Sequence, residues 1–191
     1  KPMAICTDSK WGKELKGDLH SFHRAFPFIS KEVFTVIQSN FDGIKGAFHW
    51  RGKGMEIESP LFGEFNIENI CSAAILAIEL GIPGRDIEAG IRNLKKIPGR
   101  LERVENSKNI NIIIDYAHTP DALDKTLKTL KPLTKGKLIT VFGCGGDRDQ
   151  LKRPLMGEAA FKNSDMIILT NDNPRKENPA SIIELLFPKL F

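Results

Sequence analysis

Three polar strings hold the side chains best suited to chemistry. In Gly143-Cys-Gly-Gly-Asp-Arg-Asp149 a glycine turn runs straight into charge. The backbone N–H groups of such a turn can face an anion; the other reading is a purely structural turn at a strand end. Arg148 can hold a carboxylate through two parallel N–H bonds, while Asp147 and Asp149 can receive an amine or orient the arginine. Asp172-Asn173-Pro174-Arg175 has the residues of a turn, which accounts for Asp, Asn and Pro but not for Arg175. Arg175 can grip a carboxylate, and Asn173 offers both a donor and an acceptor. In Asp115-Tyr-Ala-His118, Asp115 can accept from ribose hydroxyls. His118 can contact phosphate or hold its own loop through a backbone hydrogen bond. Outside these strings, Asn66 has the chemistry of a helix N-cap. Asn69 carries a side-chain amide that matches the donor–acceptor edge of adenine. Arg100, after Gly99, can meet a phosphate or form an interdomain salt bridge.

Periodicity indicates what must position these groups. From 110 onward, strands alternate with helices. Strands are expected at 110–114, 137–142 and 166–169, and helices at 120–130, 154–162 and 179–186. Thr119-Pro120-Asp121 is helix-entry chemistry. Such alternation makes an α/β unit with a parallel, doubly wound sheet. Ligands bind beyond the carboxyl ends of its strands, and each polar string follows one strand. Residues 1–62 read as short strands and turns, with strand character at 34–38, 47–50 and 55–59. Ile67, Ile70, Ala74, Ala77 and Ile78 recur at helical spacing over 67–80, and a second helix is expected at 85–93. Ile97-Pro-Gly-Arg100 marks the domain joint, which divides 1–98 from 99–191.

Composition narrows the function classes. The chain has 191 residues, 41% hydrophobic and 27% charged, an ordinary globular balance able to build its own core. Twenty-eight basic and 24 acidic residues leave a net charge of +4. The surplus is scattered, without the dense basic stripe of a nucleic-acid groove, so no nucleic acid is expected. It suits anionic small substrates. Three cysteines lie far apart with no C-x-x-C pair, which fits a reducing compartment and a cytoplasmic location. No apolar run reaches a membrane span. No Walker A sequence, zinc spacing or nucleophile elbow occurs, and no metal site is expected in this chain.

Read together, the strings have a family likeness. Gly63-Glu-Phe-Asn66-x-x-Asn69, Pro98-Gly-Arg-Leu-Glu102, Asp115-Tyr-Ala-His-Thr-Pro-Asp-Ala-Leu123, Phe142-Gly-Cys-Gly-Gly-Asp-Arg-Asp149, Lys152-Arg-Pro-Leu-Met156 and Asp172-Asn-Pro-Arg175 occur in one order. This set resembles the Mur ligases, in the branch that makes UDP-N-acetylmuramoyl-tripeptide. The likeness covers about 60–185. It is fainter before that, where Ile5-Cys-Thr-Asp8 and Trp11-Gly12 resemble a nucleotide-domain segment.

The resemblance implies the end of a central ATP-binding domain followed by a Rossmann-like C-terminal domain that brings the amino acid. It implies a cytoplasmic, monomeric, ATP- and Mg²⁺-dependent ligase of peptidoglycan biosynthesis. That enzyme joins meso-diaminopimelate to UDP-N-acetylmuramoyl-L-alanyl-D-glutamate through an acyl phosphate. Carried over, Arg148, Asp172, Asn173 and Arg175 would contact diaminopimelate. Arg100, Asp115 and His118 would contact ATP, and Asn66 or Asn69 its adenine. An arginine expecting a carboxylate is left unpaired by lysine, a penalty of roughly 2–5 kcal/mol. The family's phosphate loop, modified lysine and metal ligands are expected before Lys1, and its pocket-completing Gly-Lys-Gly-His-Glu after Phe191; the chain alone is therefore expected not to turn over ATP. The alternatives are a lysine-adding ligase, a folylpolyglutamate-synthetase-like ligase, or a non-catalytic binding module that kept the fold. Arg175 argues against the first, and the continuous Gly-Cys-Gly-Gly-Asp-Arg-Asp string against the second.

Overall fold

A computed structural model describes residues 2–17 and 24–187. The chain divides into two compact units, Lys1–Ile112 and Ile113–Phe191.

The first unit opens with β1 (Met3–Cys6), α1 (Lys10–Gly17), β2 (Ala25–Phe28) and the single turn α2 (Ser30–Val33). It continues through β3 (Phe34–Asn40), β4 (Gly43–Trp50), β5 (Lys53–Ser59), α3 (Glu64–Glu79), α4 (Gly84–Asn93) and the short β6 (Glu102–Val104). β1 pairs with β2 in parallel, while β3, β4 and β5 form an antiparallel meander. In β5, Met55, Ile57 and Ser59 are buried while Lys53, Gly54, Glu56 and Glu58 are exposed, so alternation does set one inward face. α3 buries Ile67, Ile70, Cys71, Ala74, Ile75 and Ile78 in the same core as Phe28, Phe34, Ile44 and Phe48.

Two local expectations fail here. Residues 10–17 form a helix, not strands and turns; residues 18–23 lie outside the described residues. α1 announces itself poorly because Gly12 is its buried position and Trp11 is 76% exposed. Gly12 lies so close to Cys6 O that a β-carbon there would collide with it. Contact by a missing side chain leaves no hydrophobic period. Asn66 is not an N-cap either. Gly63, at φ +93°, caps α3, which puts Asn66 within the first turn with its N–H donating to Gly63 O.

The second unit holds the end of β7 (Ile112–Ile114), then α5 (Pro120–Leu130), β8 (Ile139–Phe142), α6 (Lys152–Asn163), β9 (Met166–Leu169) and α7 (Pro179–Leu186). β8 and β9 pair in parallel, with Phe142 opposite Leu169. α5, α6 and α7 share a core of Leu123, Leu127, Met156, Ala160, Ile182 and Leu186, against which Phe142, Ile167 and Leu169 pack. α5 begins as expected, with Thr119 accepting from Ala122 N and Pro120 in the first turn. The parallel ladder joins two strands, not the three expected, since β7 is not bonded to β8 or β9. An apolar run identifies a strand but not its neighbour. α6 begins at Lys152, two residues before the expected 154, which brings Lys152 and Arg153 into its first turn. No helix among the described residues is long and apolar enough to cross a membrane.

Candidate functional site

The parallel register of β8 and β9 launches two of the polar strings side by side. Thr170 N donates to Phe142 O at 3.1 Å, and beyond that bond the two chains run in backbone contact. A β-carbon on Gly143 would collide with Thr170 O, and one on Gly146 with Pro174 O. Gly146 N donates to Asn173 O at 2.9 Å, and Arg175 Nη1 returns a bond to Gly146 O at 2.6 Å. The glycines are thus required by this close approach. Asp147 and Arg175 both sit in the left-handed region at φ +50°, a conformation non-glycine residues hold only where surroundings impose it.

Two readings are open for the glycine turn, N–H groups facing an anion and a purely structural turn, and the structure combines them. The turn does face an anion, but that anion is the protein's own Glu177. Asp147 N donates to Glu177 Oε1 at 2.6 Å, and Gln150 Nε2 to Oε2 at 3.2 Å. Arg153, fully buried, closes a two-pronged pair on the same carboxylate at 2.8 and 2.7 Å and also reaches Gly145 O at 3.3 Å. The hydrogen bonds from Arg153, together with those from Asp147 N and Gln150, hold the Glu177 carboxyl down at about 2. The sign follows from that depression. The contribution of Glu177 to stability is fully present above its ordinary value of 4.5 and is lost as pH falls toward about 2. Urea unfolding is expected to show Glu177→Gln less stable than the parent by a constant margin near neutrality, and by a shrinking margin below about pH 4.5. A margin that stays constant to about pH 2 contradicts this assignment.

What remains accessible around this lock carries both signs of charge, with Arg148 and Arg175 exposed beside Asp147, Asp149 and Asp172. Arg148 is exposed and forms no ion pair among the described residues. Arg175, also exposed, spends one guanidinium N–H on Gly146 O and keeps the rest of its five donors for a ligand. Asn173 accepts from Arg175 N through Oδ1 at 3.2 Å, which leaves its Nδ2 to donate outward. The carboxylate of Asp172 is exposed beside Gly145. Two guanidinium groups, an amide donor and one carboxylate suit a ligand bearing both carboxylates and an amine.

The third string is tied to the same helix. Asp115 Oδ1 accepts from Ala117 N at 2.9 Å and Thr126 Oγ1 at 3.2 Å. His118 Nδ1 lies 3.0 Å from Tyr116 O, a contact that favours the Nδ1–H tautomer and leaves Nε2 outward. The loop-holding role open to His118 is therefore realised. Lys152 Nζ donates to His118 O at 2.8 Å. Neighbouring residues of α6 thus reach this string and the glycine turn: Lys152 bonds His118 O, and Arg153 bonds Gly145 O and Glu177, two residues beyond Asp172–Arg175. Lys152 and Arg153 enter the sequence reading only within a family motif and without a role, and Gln150 and Glu177 do not enter it at all. One signal was present: two cations in the first turn of a helix oppose its macrodipole, so the helix itself does not explain them.

In the first unit, Asn66 is 1% exposed and is consumed internally. Its Nδ2 donates to Phe62 O at 2.7 Å, and its Oδ1 accepts from Asn69 Nδ2 at 3.2 Å. Asn69 is exposed, so of the two it is the one placed to meet a ligand. Arg100 is exposed in a turn whose Gly99 N donates to Glu102 Oε2 at 3.0 Å. Asn66, Asn69 and Arg100 belong to this unit, and the other expected site residues to the second. Among the described residues, Cys6, Asp8 and Glu68 lie close enough together to share an ion. Burial raises the Cys6 thiol to about 11, so it stays protonated at neutral pH, and Asp8 already accepts from Ser30. An oxygen-seeking Mg²⁺ does not fit that set.

The family described as Mur ligase, glutamate ligase domain matches residues 99–189. Three curated relatives are named UDP-N-acetylmuramoyl-L-alanyl-D-glutamate--2,6-diaminopimelate ligase. The one from Gloeobacter violaceus is 46% identical over 94% of this chain and 37% of its own length. That from Lawsonia intracellularis is 37% identical over 100% of the chain and 40% of its length. The third, from Solibacter usitatus, is 44% identical over 77% and 30%. This chain therefore spans between 30% and 40% of the length of these three relatives. A solved structure of a ligase of that name matches with TM-score 0.59 and 32% identity over 96% of the chain and 39% of that structure. A Mycobacterium tuberculosis folylpolyglutamate synthase complexed with ADP and AMPPCP matches with TM-score 0.75 but 21% identity, over 97% of the chain and 42% of that structure; this is likeness of fold. With the ordered motifs, the docked loops and relatives at this identity, the chain belongs to the Mur ligase family.

Proposed function

We propose that this chain is part of an ATP-dependent ligase that joins meso-diaminopimelate to UDP-N-acetylmuramoyl-L-alanyl-D-glutamate in peptidoglycan biosynthesis. The observation that carries this reading is the docking of the Asp172–Arg175 string onto the glycine turn, which brings Arg175 and Asn173 to the loop that bears Arg148. Diaminopimelate has a second carboxylate and a second amine. A pair of guanidinium groups suits its carboxylates, and Asp172 suits an ammonium. The names of the relatives support the same substrate.

ATP, as a substrate, activates the D-glutamate carboxylate as an acyl phosphate. The amine of the amino acid then attacks the acyl carbon. A C–N bond forms, phosphate leaves with the C–O bonding pair, and the nitrogen loses a proton. The part of this chain is to hold the amino acid so that its amine meets the acyl carbon, which lowers the entropic part of the barrier. Asn69 reads adenine, with Asn66 holding it in place. Arg100, Asp115 and His118 face the nucleotide. We assign 1–98 to the end of the ATP-binding domain and 99–191 to the amino-acid-binding domain. The enzyme works as a cytoplasmic monomer with Mg²⁺. Cys6, Asp8 and Glu68 do not suit that ion.

Full-length protein given ATP and the UDP-linked dipeptide is expected to release phosphate and form a tripeptide with meso-diaminopimelate, and to turn over L-lysine at least about 30-fold less efficiently. Equal or better turnover of lysine would overturn the proposal.

A further inference from the structure

We propose that Arg153 and Glu177 form a positioning pair that sets the geometry of the amino-acid clamp, an inference that rests on the reading of Arg148, Asn173 and Arg175 given above. Arg153 is fully buried and Glu177 half-buried, and their carboxylate–guanidinium pair joins segments 24 residues apart. Each partner also holds the backbone of a clamp loop. Arg153 Nη2 donates to Gly145 O, in the glycine turn that leads into Arg148. Glu177 Oε1 accepts from Asp147 N, immediately before Arg148. Glu177 N in turn donates to Pro174 O at 3.0 Å, immediately before Arg175. The pair thus fastens the peptide units next to both ligand-facing arginines.

Stability alone is a poor reason for such a pair. Burying two charges has a desolvation cost that a well-packed apolar pair avoids. Arg153 Nε is buried without a hydrogen-bond partner among the described residues, so the network is not even fully satisfied. Its position in the first turn of α6 is also unfavourable for a cation. What the charges provide is direction. The carboxylate accepts from Arg153 and from Asp147 N together, which holds the left-handed Asp147 conformation and aims the next residue, Arg148.

Two variants test this in full-length protein, with steady-state KM measured separately for meso-diaminopimelate, ATP and the UDP-linked dipeptide. Glu177→Gln keeps the side-chain shape but removes the charge. It is expected to raise the diaminopimelate KM by about tenfold or more while the KM for ATP and for the dipeptide stays within about twofold. The paired change Arg153→Met with Glu177→Leu replaces the ion pair with apolar contacts and leaves Asp147 N without its acceptor. Its unfolding midpoint is expected to match or exceed that of Glu177→Gln while the diaminopimelate KM remains raised. A purely stabilising pair predicts the opposite: KM recovers along with stability, or all three KM values rise together, and either result overturns the proposal. Arg175→Ala is measured alongside. If it raises the diaminopimelate KM and Glu177→Gln does not, the positioning role fails alone. If Arg175→Ala also has no effect, the clamp reading itself fails.

Discussion

Arg175→Ala is expected to lower kcat/KM for meso-diaminopimelate by about 30- to 150-fold, or roughly 2–3 kcal/mol. The lower part of the usual range for an ion-paired arginine applies because Arg175 is exposed in this chain. Backbone strain contributes little to the difference, since alanine and arginine meet the same penalty at φ +50°. The lost bond to Gly146 O does contribute, so a second substitution separates the two effects. Arg175→Lys keeps a cation but not the planar fork, and about tenfold of the loss is expected to persist. The measurement is steady-state ligation in full-length protein with the amino acid varied. Unchanged KM and kcat in Arg175→Ala would remove Arg175 from the clamp.

Gly146→Ala is expected to be as severe through a different cause. Its β-carbon would collide with Pro174 O, which is backbone and cannot swing aside. The two loops must then separate, which breaks the bonds between Gly146 N and Asn173 O and between Arg175 Nη1 and Gly146 O. Displacement of Arg175 from Arg148 by about 1 Å is enough to cost on the order of a hundredfold in kcat/KM. Overpacking of this kind also lowers stability by about 1–3 kcal/mol. Gly136→Ala is the matched control, because a β-carbon at Gly136 meets nothing within 4 Å. It is expected to leave turnover and the thermal midpoint unchanged. Wild-type turnover in Gly146→Ala would mean that the loops act without touching.

These two residues differ in how far they could be read in advance. Arg175 stood out because a turn explains its neighbours and not itself. Gly146 reads in the sequence equally well as part of an anion-facing turn or of a structural one; its N–H is spent on Asn173 O, and the next N–H along meets Glu177. The asparagine pair divides the same way. Spacing placed Asn66 and Asn69 on one helix start, yet Gly63 caps that helix and Asn66 is buried on Phe62 O. Helix α1 is not legible in the sequence because its contact with the core is made by Gly12, which leaves no apolar period.

By itself the sequence determined whatever depends on near neighbours along the chain. α5, β9 and α7 run over the expected residues, Thr119 caps as its type dictates, and the ordered motifs carry the family. Repeats of two and 3.6 residues are local geometry, so they are written locally. The tertiary structure alone decided which partners the charges take. Arg153 and Glu177 meet because β8 and β9 lie in one parallel register and α6 begins at Lys152. A sheet register is a long-range property, and a hydrogen bond across 24 residues leaves no period in the chain. The Asp-Asn-Pro-Arg string therefore singles out Arg175 as the proposed ligand-binding arginine, and only the fold brings the Arg153–Glu177 pair beside its loop.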